Sequence, residues 1–122
     1  MSSGKKLSSD GSTTLDDLKQ IVEDFVRERD WVQFHSPKNL AMAVGVEAGE
    51  LMDLFRWHTE LGSRRLMKDR KSRKAAVDEL ADVVICVLAF ANRTGIDIAD
   101  AVSRKVQKNA QKYPVEKYKG RF

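Results

Sequence analysis

Apolar residues recur at helical spacing along four stretches of the chain. Leu15, Leu18, Ile21, Val22, Phe25 and Val26 follow one another at spacings of three, three, one, three and one, which lays an apolar stripe along a helix. Thr13 or Thr14 can cap its start, and Asp16 and Asp17 suit the positive end of the helix dipole. A second helix opens at Ser36-Pro37, because serine is a good N-cap and proline fits a first position whose N–H would have no partner. Leu40, Ala43, Val44, Leu51, Leu54 and Phe55 carry its apolar side to about Thr59. Gly45 and Gly49 each lower helix propensity by about 1 kcal/mol relative to alanine, which suggests close helix packing there. A third helix is predicted from near Ser72 to Gly95, a natural left-handed stop. Its stretch VVICVLAFA, 83–91, is apolar on all sides, the pattern of a helix buried nearly all round. A fourth begins after the cap Asp97, carries Ile98, Ala101, Val102 and Val106 on one face, and ends at Pro114.

No segment alternates as a strand would, so the chain is predicted to be all-α with four helices. One domain is expected over residues 13–115. A Ser/Gly/Lys-rich tail at 1–12, expected to be disordered, precedes it, and a basic tail at 116–122 follows. A four-helix monomer this small needs only one apolar stripe per helix. The over-apolar third helix therefore predicts a homo-oligomer.

Composition narrows the chemistry. With 42% hydrophobic and 33% charged residues in 122, the chain can bury a core. No apolar run is long enough for a membrane span, and residues 1–14 lack the apolar region of a secretory signal. The single cysteine, Cys86, cannot close an internal disulfide; a cytoplasmic location is expected. Two histidines and one cysteine are too few for the usual structural zinc site, so any metal is expected to be a hard ion held by carboxylates.

The net charge of +4 is unevenly spread. Residues 61–74, predicted to form a loop, carry seven Lys/Arg and one Asp, and residues 104–122, at one chain end, carry seven Lys/Arg and one Glu. Each segment is +6, which leaves −8 for the remainder. Basic runs are most often solvated surface. Here they also fit a polyphosphate site, with carboxylates to hold a metal and lysines to meet the remaining phosphate charge. A helical nucleic-acid-binding module is the alternative of another class. No predicted helix carries a basic reading face, so nucleic acid is not an expected partner.

The acids form a pair of pairs. The second helix contains Glu47-Ala-Gly-Glu50 and the third contains Glu79-Leu-Ala-Asp82. Residues three apart lie one turn apart on one helix face. Glu47 stands a turn from Val44 and Leu51, Glu50 a turn from Leu54, and Glu79 beside Ala76 and Val83; Asp82 adjoins the apolar run. All four run along or beside the core stripe, where unpaired carboxylates are costly and a divalent cation is the natural partner. A lone ExxE is usually an exposed face; two such pairs on successive helices are less common.

Glu47-x-x-Glu50, 28 intervening residues and Glu79-x-x-Asp82 resemble the signature of the MazG-like, all-α nucleoside triphosphate pyrophosphohydrolases. The flanks at 27–57, 78–97 and 105–115 resemble the small dCTP pyrophosphatase branch, so the likeness runs from about Leu15 to Val115. It implies a four-helix MazG-like bundle, assembled as a dimer or a dimer-of-dimers tetramer, with sites between subunits. It implies Mg²⁺-dependent hydrolysis of a (deoxy)nucleoside triphosphate, dCTP or a modified dCTP, to the monophosphate and pyrophosphate. A broad-specificity or dUTP-directed enzyme of the same fold is the alternative. Glu47, Glu50, Glu79 and Asp82 match the metal ligands, with Glu47 or Glu50 expected to orient or deprotonate the attacking water. Lys105, Asn109, Lys112 and Tyr113 match a segment that faces the phosphates and sugar. Trp31 and Trp57 match tryptophans of the base pocket, and His35 falls in the matching QFHxP stretch. The chain departs from animal members of the branch at Val22 and Cys86, where they carry a histidine and a tyrosine at the base end.

Overall fold

The expected caps are where the helices begin. In a computed structural model, which describes residues 8–121, Thr14 starts α1 (Leu15–Glu28). Its hydroxyl accepts the Asp17 N–H at 3.1 Å, and the Asp17 carboxylate accepts the Thr14 N–H at 3.0 Å. Ser36 caps α2 (Pro37–Asp53) by accepting the Asn39 N–H at 3.1 Å. Asp97 caps α5 (Ile98–Lys112) in the same way through the Asp100 N–H, at 2.9 Å. Such caps are worth about 1 kcal/mol each.

Two predicted boundaries are corrected. The second helix does not reach Thr59: it ends at Asp53, in a tightened turn where Phe55 N–H donates to the Met52 carbonyl at 3.0 Å. Thr59 instead caps a further short helix, α3 (Glu60–Leu66), accepting the Gly62 N–H at 3.0 Å. The long helix α4 (Arg70–Thr94) starts two residues earlier than predicted. Asp69 is its cap, and Ser72 donates both its N–H and its hydroxyl to that carboxylate, at 3.0 and 2.7 Å. Most of the supposed 61–74 loop is therefore helical. A 3₁₀ turn, Val32–Phe34, joins α1 to α2, and a last short helix, α6 (Val115–Tyr118), opens the basic tail. The described residues hold six α-helices and no strand, where four helices were predicted.

The 25-residue α4 is the spine, about 37 Å long. α2 packs along it, α1 crosses it, and α5 touches the rest only sparsely. The core comprises Val22 and Val26 of α1, Leu40 of α2, and Leu88 and Ala89 of α4, with Leu18, Val32, Phe90 and Ile98 packed around them. A polar clamp also holds α1 to α4. Arg93 donates to Glu23 with the two side chains 13% and 18% exposed, and Arg27 reaches the same carboxylate at 2.8 Å. Beside it Asn92 donates to the Lys19 carbonyl at 3.0 Å, and Lys19 Nζ to the Ile96 carbonyl at 2.9 Å. Gly95 ends α4 at φ +71°, where a side chain would be strained.

The all-round burial predicted for 83–91 is not found within one chain. Leu88, Ala89 and Ala91 are buried, but Val84, Ile85 and Val87 are 39%, 44% and 38% exposed. Gly45 and Gly49 also face open space, so close packing within the chain does not account for them. Residues 1–7 of the predicted tail lie outside the described residues; Ser9–Ser12 form a turn closed by Ser12 N–H to the Ser9 carbonyl at 3.0 Å. No helix among the described residues is long and apolar enough to cross a membrane.

Candidate active site

The packing of α2 along α4 brings the two acid motifs together. Oxygens of Glu47, Glu79 and Asp82 all lie within 4.8 Å of one another, a spacing that one metal ion can bridge. Glu47 and Glu79 are half-buried and Asp82 is exposed. Glu50 is exposed and does not join the trio, so the four acids are less inward than their spacing predicts. It stays close in effect: the Glu79 carboxyl is raised above its ordinary value of 4.5 by desolvation, then by the Glu50, Asp82 and Glu47 charges. Among the described residues, no Lys, Arg or His pairs with any of the four. Several carboxylates gathered without a cation raise the free energy of the fold unless a positive ion joins them.

Sequence reasoning gave no chemical role to Cys86. It stands one turn beyond Asp82, half-buried, and its thiol is pushed up from 9.0 by desolvation and then by the Glu47 and Asp82 charges. The spacing of four from Asp82 was the available signal.

Among the described residues, none of the remaining predicted site residues makes an ion pair with the four acids. Trp31 follows α1, 43% exposed, with its ring edge-to-face on Phe25 at 5.6 Å. Trp57 lies beyond the other end of α2, 78% exposed, with the Arg56 guanidinium 4.4 Å above its ring. The 17 residues of α2, about 25 Å of helix, lie between them in the chain. His35 is half-buried near the α1–α4 clamp: burial and then Arg93 lower its proton affinity, with Glu23 opposing. Lys105, Asn109, Lys112 and Tyr113 follow one another on α5 and its cap, where Tyr113 N–H donates to the Asn109 carbonyl at 2.8 Å. Among the described residues, no ion pair or hydrogen bond links them to the acids.

Two helices presenting facing acid motifs inside an all-α fold define a class, and comparison with known proteins agrees. Residues 42–121 match the MazG-like family, and the chain belongs to it. In sequence the chain is 40% identical to dCTP pyrophosphatase 1 of Mus musculus over 107 residues, 88% of this chain and 63% of that protein. It is also 40% identical to dCTP pyrophosphatase 1 of Homo sapiens over 101 residues, 83% of this chain and 59% of that one. The chain thus spans about three fifths of the length of these mammalian relatives. The crystal structure of a pyrophosphatase from Archaeoglobus fulgidus matches with a TM-score of 0.77 and 32% identity, over 89% of this chain and 99% of the other.

Proposed function

We propose that the protein is a Mg²⁺-dependent pyrophosphohydrolase that converts a (deoxy)nucleoside triphosphate, preferably dCTP or a modified dCTP, to the monophosphate and pyrophosphate. The observation that carries this is the Glu47–Glu79–Asp82 trio, three carboxylates within 4.8 Å with no cation of the chain upon them. The 40% identity to proteins named dCTP pyrophosphatase 1 supports the choice of substrate.

Such an acid set fits a hard divalent ion. When bound, that ion would neutralise charge developing on the leaving pyrophosphate. Glu47, Glu79 and Asp82 would hold that ion. Glu50, outside the trio and exposed, is left with a free carboxylate. It accepts a proton from the attacking water as the water oxygen bonds to phosphorus and the α–β anhydride bond breaks. Lys105 and Lys112, on α5, meet the remaining phosphate charge as point charges, and Asn109 and Tyr113 complete that wall.

The site is assembled between copies in a dimer or a tetramer. Trp31 and Trp57 flank opposite ends of α2, and a base stacked by both takes one ring from each of two chains. The exposed Val84, Ile85 and Val87 provide apolar surface for that partner. The cytoplasmic nucleotide pool is the setting that suits this chemistry.

The test is pyrophosphate release from a panel of dNTPs and NTPs, with Mg²⁺ and with EDTA, for wild type and Glu50→Gln. The reading requires metal-dependent release, fastest with dCTP or a modified dCTP, and a loss in the variant of about 10²-fold or more. Equal rates across the bases would favour the broad-specificity enzyme. No release from any nucleotide by the folded chain would end the hydrolase reading.

A further inference from the structure

We propose that the corner formed by α3 and the first turn of α4 is an electrostatic anchor for the phosphate backbone of a single-stranded nucleic acid, separate from the acid site. From the sequence no nucleic-acid partner is expected, because residues 61–74 read as a loop and no helix offers a basic face. The structure changes that premise. The segment folds as a short helix, a tight turn from Met67 to Asp69, and the start of a 25-residue helix. Its cations are therefore displayed on an ordered frame.

All seven Lys/Arg between Arg64 and Lys74 are exposed. None takes part in an ion pair among the described residues, although Arg27, Arg29, Arg56, Arg93 and Arg104 all do. The two nearby acids do little to offset them. Asp69 spends its carboxylate on the Ser72 N–H and hydroxyl, against the positive end of α4, and Glu60 sits in the first turn of α3. Seven like charges held on one corner repel one another, and among the described residues no ion pair offsets them. A flexible chain of phosphates does, because each neutralised phosphate releases a condensed counterion. Four of the seven are arginines, whose fork binds a phosphate through two donors. Apolar side chains adjoin the charges, with Leu61, Val77 and Leu80 exposed and Leu66 and Met67 half-buried, so binding to anionic vesicles is the competing outcome.

The test is fluorescence anisotropy of a labelled single strand of about 20 nucleotides, mixed with the full chain from about 50 to about 200 mM salt. If four phosphates are neutralised, log K falls against log salt with a slope of about −2.8, a loss of about 50-fold over that range. The triple variant R64Q/R65Q/R70Q should flatten the slope by about 2, and R64Q or R70Q alone by about 0.7. Pyrophosphate release and helical circular dichroism should stay as in wild type. Four results would overturn the proposal: no binding at the lowest salt, an unchanged slope in the variants, full displacement of the strand by free dCTP with Mg²⁺, or binding to anionic vesicles in place of the strand. Salt-sensitive self-association that the triple variant abolishes, without strand binding, would assign the corner to a second copy and would equally overturn it.

Discussion

Removing an acid from the trio should stabilise the metal-free protein and abolish its response to metal, two effects of opposite sign from one substitution. Glu47→Gln keeps the side chain's size and removes one charge. Its oxygen lies within 4.8 Å of those of Asp82 and Glu79, with no cation between them. Two like charges at that distance repel by about 1 kcal/mol at the dielectric of water and by more in a protein. Glu47→Gln should therefore raise stability in EDTA by about 1 kcal/mol. For 122 residues, with an unfolding entropy of about 2.1 cal/mol/K per residue, that is about 4 °C in Tm. Metal works the other way. At a Mg²⁺ concentration about 100-fold above Kd, binding adds about 2.7 kcal/mol to the wild type, or about 10 °C. The variant, short of a ligand, should gain a small part of that. Thermal unfolding followed by circular dichroism, in EDTA and across a Mg²⁺ titration, gives four Tm values. The wild type should be the less stable protein in EDTA and the more stable one in Mg²⁺. A variant that is less stable in EDTA, or that keeps the full Mg²⁺ shift, would refute the reasoning.

Acidity acts on the same cluster. The Glu79 carboxyl is raised above 4.5 by desolvation and then by Glu50, Asp82 and Glu47, so the fold binds a proton there more readily than the unfolded chain does. In EDTA this group contributes stability that is present below 4.5 and lost as pH rises through its folded value. Mg²⁺ affinity should weaken as pH falls through the same interval, because the proton competes, and calorimetric titration at two pH values reads it. At the α1–α4 clamp, Arg93→Ala leaves Glu23 with Arg27 alone and should cost about 2 kcal/mol in urea unfolding, much of it absent in a Glu23→Gln background. The same change should raise the proton affinity of His35, which Arg93 lowers, as an NMR titration would show. Gly45→Ala faces open space within the chain and should add about 1 kcal/mol; a loss of stability at concentrations where copies associate would mean that a partner approaches there.

What was legible in the sequence was mostly local. Thr14, Ser36, Asp97 and Gly95 each specify a helix end through atoms within a few residues, and each end stands where it was predicted. The acid motifs were legible because a spacing of three fixes a helix face, and two such faces on helices that pack must meet. The end of the second helix was not, because Leu54 and Phe55 continue its apolar pattern past Asp53. Only the competing cap at Thr59 shows that the chain has turned. The 61–74 segment read as a loop because its charges hide its periodicity, although Thr59 with Glu60, and Asp69 with Ser72, are start signals of the kind used elsewhere in the chain.

Two expectations fail within one chain, and they fail in the same direction. The apolar stretch 83–91 was to be buried, yet Val84, Ile85 and Val87 are partly bare. Gly45 and Gly49 were to mark a close approach, yet nothing approaches. Lack of packing partners within the chain accounts for both. A second copy laid against α2 and α4 would meet both needs at once, covering the valines and Ile85 and approaching the glycines. Two unrelated misfits fit poorly with helix caps that stand where the same periodicity places them. Sedimentation of the purified chain decides between them. A monomer at micromolar concentration would leave the two failures unconnected and would remove the two-chain base pocket from the proposed reaction.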